Sequence, residues 1–345
     1  MSVAYFAELL VVAAVATAVA FALSVAIHEG GHLVAGRLTG YRLVTFRLFS
    51  WVWSRREGRW TVARSSQKGM PIIGQCLMDP PHDEARFRYR FYNAGGWLAN
   101  LVLGGLAVGA LAGCFRVMSD VPNWLLLPLA ELALMNLFSG VANALPLSPG
   151  MPTDGANARS AGRSADCRHA FYLQLRVNAE TARGASLAEL PAELFEQAPT
   201  ADLREPLVAA HHLLRGGRLS ELGDHAAYRR ALQDIDLAAM PQLVAAGVRA
   251  ELAFLDLVDA GDAAAARSAL EDPAVQKYLK IKQPGMYRVR AAAAFFLDHD
   301  VTAARGLLAE ARQTLPAMAN PGMEKTELSD IDRLEAAINA ALPAA

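Results

Sequence analysis

The stretch His28-Glu29-Gly30-Gly31-His32 closes an apolar run that opens at Val3 and is interrupted only by Glu8, Thr17 and Ser24. About 20 apolar residues cross a bilayer as a helix. The run therefore predicts a membrane-spanning helix over about 3–38, with this motif toward its end. Residues four apart on a helix share a face, which turns His28 and His32 the same way. Two imidazoles so placed can hold a zinc ion, and the glutamate between them can act as general base on a metal-bound water. Either histidine alone would read as a core imidazole satisfied by its neighbours. The pair, on a helix surrounded by lipid, points to function, because ionisable groups there are costly.

A cleaved signal peptide is the competing reading of this run, with Ala16-Thr17-Ala18 as the cleavage site. It lacks a basic leader, since no Lys or Arg precedes Arg37, and the apolar run is too long for it. The chain's 345 residues suffice for two domains. A hydrophobic fraction of 53% and a mean hydropathy of +0.20 are high for a chain wholly in water. The net charge of −1 leaves no basic footprint for nucleic acid. Cys76, Cys114 and Cys167 are scattered, with no C-x-x-C pair. They read as reduced structural thiols, neither a disulfide framework nor a thiolate metal site.

Beyond the first helix, residues 37–90 carry eleven Lys and Arg against Glu57, Asp79, Asp83 and Glu84. Within them, Leu43–Trp53 and Arg59–Ala63 are rich in β-branched and aromatic residues, with Arg55-Arg56-Glu57-Gly58 between. They predict a β-hairpin over about 43–63. Trp51, Trp53 and Trp60 suit the membrane interface, and a small packed hairpin with no role toward substrate fits the same residues. A second apolar run, about 92–115, opens with Asn93-Ala94-Gly95-Gly96-Trp97-Leu98-Ala99-Asn100. Its small residues allow close helix packing, and Asn100 needs a hydrogen-bond partner inside the bundle. Arg116–Asn123 joins it to a third run, about 124–147, predicting a helical hairpin. Basic residues favour the cytoplasmic side. That puts residues 37–90 and everything after Leu147 in the cytoplasm and the N-terminus outside, with His28 and His32 toward the cytoplasmic end of their helix.

The third run ends in Asn143-Ala144-Leu145-Pro146-Leu147-Ser148-Pro149-Gly150-Met151-Pro152-Thr153-Asp154-Gly155, whose prolines stop the helix and force irregular backbone. Such backbone lies at membrane depth only where protein or a water-filled cavity surrounds it. A catalytic zinc takes three protein ligands and leaves one position for water, and Asp154 is the natural third beside His28 and His32. The other use of Asp154 is to cap the next helix, its carboxylate accepting backbone N–H groups. The histidine pair tips the reading toward the ligand.

Together these residues resemble the site-2-protease-like intramembrane zinc metalloproteases. Three signatures stand in that family's order: His28-Glu29-Gly30-Gly31-His32 on the first core helix, Gly95-Gly96 followed by Asn100 on the second, and Asn143, Pro146 and Asp154-Gly155 after the third. The resemblance covers residues 1–160. It implies that His28, His32 and Asp154 bind zinc, that Glu29 activates water, and that Asn100 assists at the active site by hydrogen bonding. It also implies that the β-rich element at 43–63 helps to present substrate. The chain departs from the family pattern in the longer stretch from Asn143 to Asp154, in Thr153 where an apolar residue is usual, and in Gly96 where proline is common. No PDZ-like segment is recognisable.

From Ala161 to Ala345 the chain is rich in Ala, Leu and Arg, with no stretch apolar enough to span. Leu257–Leu270 and Leu297–Leu308 look alike, aligning Asp262 with Asp300 and Ala265-Ala266-Arg267 with Ala303-Ala304-Arg305. Such a repeat suggests stacked helical hairpins of the tetratricopeptide kind, or else an ordinary helical bundle. His169, His211, His212, His225 and His299 show no ligand spacing and read as surface or core residues. The expected whole is an all-α, multi-pass cell-membrane protein. A three-helix metalloprotease core with a β-hairpin insertion occupies 1–160, and a soluble cytosolic α-helical domain occupies 161–345. The expected activity is Zn2+-dependent endoproteolysis of a membrane protein or peptide. The alternative is a non-catalytic membrane adaptor whose helical domain recruits a cytosolic partner. A transporter component fits poorly, because three spanning helices are few and no inverted repeat is visible.

Overall fold

The computed structural model describes residues 3–56, 59–64, 73–147, 152–318 and 320–341. It is mostly helical, and the chain divides into two units: residues 1–54 with 73–162, and residues 55–72 with 163–345. In the first unit three helices pack on one another: α1 (Val3–Leu38), α2 (Tyr89–Val117) and α3 (Asn123–Ala144). All three are long and apolar enough to cross a membrane. On α1, Val11, Val15 and Val19 are exposed while Ala16 and Ala20 are buried, so the helix has no polar face to turn toward water. Helix α3 stops at Ala144, because Pro146 holds Leu145 in extended backbone. Small residues set the closest approach of α1 and α2. A side chain on Gly31 would strike the Gly95 carbonyl, and one on Gly95 would strike the Gly31 carbonyl.

Between α1 and α2 lie β1 (Arg42–Leu48), β2 (Trp51–Arg56), β3 (Arg59–Arg64) and β4 (Gly74–Asp79), an antiparallel sheet in the order β3-β2-β1-β4. This amends the all-α, single-hairpin expectation. Leu43–Trp53 is two strands, reversing at Phe49-Ser50 so that Leu48 pairs with Trp51. Phe49 adopts a left-handed φ of 53°, a conformation for which phenylalanine carries no sequence signal. Contacts distant in the chain hold it there. Its ring meets Phe21 of α1 (centroids 6.1 Å apart), and its N–H donates to the Ile73 carbonyl just before β4. The expected turn residues Glu57 and Gly58 lie outside the described residues, as do Lys68 and Ser148–Met151.

After α4 (Asp154–Ala161), the second unit contributes α5 (Ala165–Arg183), α6 (Pro206–Glu221), α7 (His225–Gln233), α8 (Gln242–Leu255), α9 (Ala263–Glu271), α10 (Pro273–Tyr278), α11 (Pro284–Phe296), α12 (Val301–Thr314) and α13 (Pro321–Ala341). Its core gathers Phe254, Leu255, Ala291, Leu308, Ile331 and Leu334. Buried Arg288 pairs there with Glu251 (3.0 Å) and Glu327 (2.7 Å), its guanidinium 4.1 Å from the Phe254 ring centroid. Three turns share one build. Gly223, Gly261 and His299 take left-handed backbone, and the next residues, Asp224, Asp262 and Asp300, cap α7, α9 and α12 by accepting the N–H of Ala227, Ala265 and Ala303. The alignment of Asp262 with Asp300 is thus an alignment of helix caps, and Asp224, evenly spaced from them, adds a third.

Candidate metal centre

The helical period of α1 stacks the two imidazoles, and α4 carries Asp154 to them. His28 Nε2 and His32 Nε2 are 3.3 Å apart, and Asp154 Oδ2 lies 3.1 Å from the first and 3.3 Å from the second. Asp154 is free to do this because the residue before it caps α4. Thr153 Oγ1 accepts the Ala156 N–H and donates to the Leu145 carbonyl at 2.6 Å, tying the start of α4 to the end of α3. Gly155 completes the approach, since a side chain there would strike the Ala144 carbonyl.

The far side of each ring is held by an acceptor. His28 Nδ1 is 2.8 Å from Asn100 Oδ1, and His32 Nδ1 is 2.9 Å from the Tyr92 carbonyl. Each imidazole donates its N–H outward, which leaves Nε2 as a bare lone pair pointing inward. The Asn100 amide is oriented in turn. Its Nδ2 donates to the Ser24 carbonyl and hydroxyl (both 3.0 Å) and to Asn136 Oδ1 (2.8 Å). Asn136 of α3 is fully buried and was not singled out from the sequence, although an amide inside an apolar helix needs a partner just as Asn100 does.

Two imidazole lone pairs and a carboxylate oxygen thus face one another at 3.1–3.3 Å. Acceptors this close in a buried place repel unless a cation or a shared proton lies among them. His28, His32 and Asp154 are a group able to hold a metal ion. Burial alone would raise the Asp154 carboxyl. Where the His28 and His32 imidazoles are instead protonated and donate to it, they more than reverse that and hold it down at about 2.

Comparison with protein-family models, with curated proteins and with solved structures found no match to this chain. The site is therefore read from its own residues. Gly96 leaves the room that the rings occupy: a methyl group there would lie 2.5 Å from His32 Nε2 and 2.7 Å from His28 Nε2. Glu29, buried beside His28, packs against β4. A methyl group on Gly74 would lie 2.5 Å from its Oε1, and the Cys76 N–H donates to its carboxylate. Tyr92 braces the same strand. Its hydroxyl donates to the Cys76 carbonyl at 2.7 Å, and its ring stacks on Tyr41, centroids 4.9 Å apart.

Proposed function

We propose that this chain is a membrane-embedded zinc endopeptidase of the site-2-protease-like kind. What carries the reading is the spacing of the three donor atoms. At zinc–ligand distances of about 2.0–2.1 Å, the edges of a tetrahedron measure about 3.3 Å. His28 Nε2, His32 Nε2 and Asp154 Oδ2 stand 3.1, 3.3 and 3.3 Å apart. Three protein donors leave a fourth position for water, the pattern of a catalytic zinc rather than a structural one. When bound, the metal supplies Lewis acidity toward a peptide carbonyl and lowers the pKa of its water.

The chain's own residues do the rest. Glu29 is the base that takes the proton of the attacking water and delivers it to the leaving amine. Asn100 acts through His28 and is a positioning residue, as is the Tyr92 carbonyl through His32. On this reading α1, α2 and α3 cross the bilayer, with the N-terminus outside and the Arg-rich 37–90 segment and the helical unit in the cytoplasm. The substrate is a membrane protein or peptide. A helical substrate must unwind locally before its carbonyl can be attacked, because an intact helix satisfies that group internally. The helical unit is free to bind a cytosolic partner.

The test is Glu29→Gln, which keeps all three donors. Zinc content of the purified protein should be equal in both forms. Membrane-protein fragments present in cells with the wild type should fall about 10²–10⁴-fold with the variant, the usual worth of a general base. Undiminished cleavage by Glu29→Gln would remove Glu29 from this role, and a purified chain without zinc would sink the reading altogether. Zinc with no fragment dependent on Glu29 would favour the adaptor.

A further inference from the structure

The second unit holds a cavity of about 660 Å³ between α5, α6 and residues 192–198. Several arginines elsewhere in this unit are matched to carboxylates: Arg229 to Asp256, Arg249 to Asp272, Arg312 to Asp332 and Glu335, Arg333 to Asp259. Arg215 and Arg218 line the cavity from one face of α6 and have no carboxylate partner among the described residues. Arg218 is held ready. Its guanidinium lies 5.4 Å from the Phe195 ring centroid, its Nη2 donates to the Leu190 carbonyl at 3.5 Å, and its Nε is buried with no partner. Such stacking pre-organises the planar donor fork. His169 joins the lining from α5, and Glu196, whose side chain is exposed, is the one carboxylate among the described lining residues. Buried His211, one turn before Arg215, donates from Nε2 to the Glu196 carbonyl. Burial pushes it down to about 4, so it is neutral and the two guanidiniums carry the local charge.

We propose that this cavity binds a small ligand through a phosphate group. A phosphate presents three acceptor oxygens and a charge of about −1.5 to −2. That matches two guanidinium forks and an imidazole, whereas a carboxylate would satisfy one fork. The volume falls within the roughly 300–1,000 Å³ of small-molecule sites. The phosphate can belong to a soluble ester or to a phospholipid headgroup, and the chemistry at the arginines is the same.

The experiment titrates pyrophosphate, by calorimetry, into the full-length protein in phosphatidylcholine nanodiscs. Saturable binding is expected, weakened about tenfold by Arg215→Gln and by Arg218→Gln, and less by the lysine variants, which keep charge but lose the fork. Glu196→Gln should bind at least as tightly as wild type. Arg215 is exposed, so its variant keeps the wild-type melting curve and decides the matter even if loss of Arg218 from the Phe195 ring disturbs folding. Repeating the titration with phosphatidic acid in the nanodiscs separates the sources. Pyrophosphate binding that disappears identifies a lipid headgroup, and binding that persists identifies a soluble ester. No binding in phosphatidylcholine discs, or equal binding by Arg215→Gln, overturns the proposal.

Discussion

Replacing Gly96 with alanine tests the site at its tightest point. The new methyl would sit 2.5 Å from His32 Nε2 and 2.7 Å from His28 Nε2. Carbon makes ordinary contacts at about 3.5–4.0 Å, so the rings must retreat by about 1 Å. Metal–ligand distances tolerate only about 0.2 Å of error. Neither ring can retreat freely, because its Nδ1 is held by Asn100 or by the Tyr92 carbonyl. Zinc affinity should therefore fall about 100-fold or more, about 3 kcal/mol. The helix itself should not suffer, since alanine is favoured over glycine in a helix interior by about 1 kcal/mol. The assay is competition for zinc against a chromophoric chelator, with thermal melting of the metal-free protein beside it. Gly105→Ala is the control, because it lies on the same helix with open space around it. Gly96→Ala binding zinc as tightly as Gly105→Ala would show that the imidazoles do not crowd this helix face, and the donor geometry would be wrong.

Two further outcomes follow from the hydrogen bonds and the charges. Asn136→Leu removes the acceptor that orients Asn100 and should weaken zinc binding about tenfold. Asn136→Asp keeps an acceptor and should restore it, and equal affinity across the three proteins would break the chain from Asn136 to His28. In the second unit, burial, with Glu251 and Glu327 adding to it and Arg288 and Arg333 opposing, pushes the Asp330 carboxyl up to about 6. A folded value above the unfolded value means that the native state holds this proton more tightly. The group's contribution to stability is then present at low pH and is lost as pH rises from about 4 to 6. Asp330→Asn should thus melt above wild type at pH 7.5, with the gap closing toward pH 4 in a pH series of melting curves. A variant that melts lower than wild type at pH 7.5 would mean that the 3.7 Å pairing with Arg288 outweighs the cost of burial.

What the amino-acid order determined alone is local. Runs such as Val3–Ile27 are almost wholly apolar, so their length and composition set a helix long and apolar enough to cross a membrane whatever their neighbours do. The helical period placed His28 and His32 on one face before any fold was known. Asp262 and Asp300 were legible as a repeat because a cap acts on the next few residues only. Tertiary structure decided whatever depends on two distant segments meeting. Phe49 turns because Phe21 and Ile73 hold it, and β4 joins the sheet by pairing with β1. Asn136 matters because of Asn100 on another helix. Asp154 reaches the imidazoles, rather than capping α4, because Thr153 caps in its place and Gly155 lets α4 press against the Ala144 carbonyl. A carboxylate and an imidazole far apart in the chain carry no mark of their future distance, since side-chain packing between them, and not propensity within either segment, sets it.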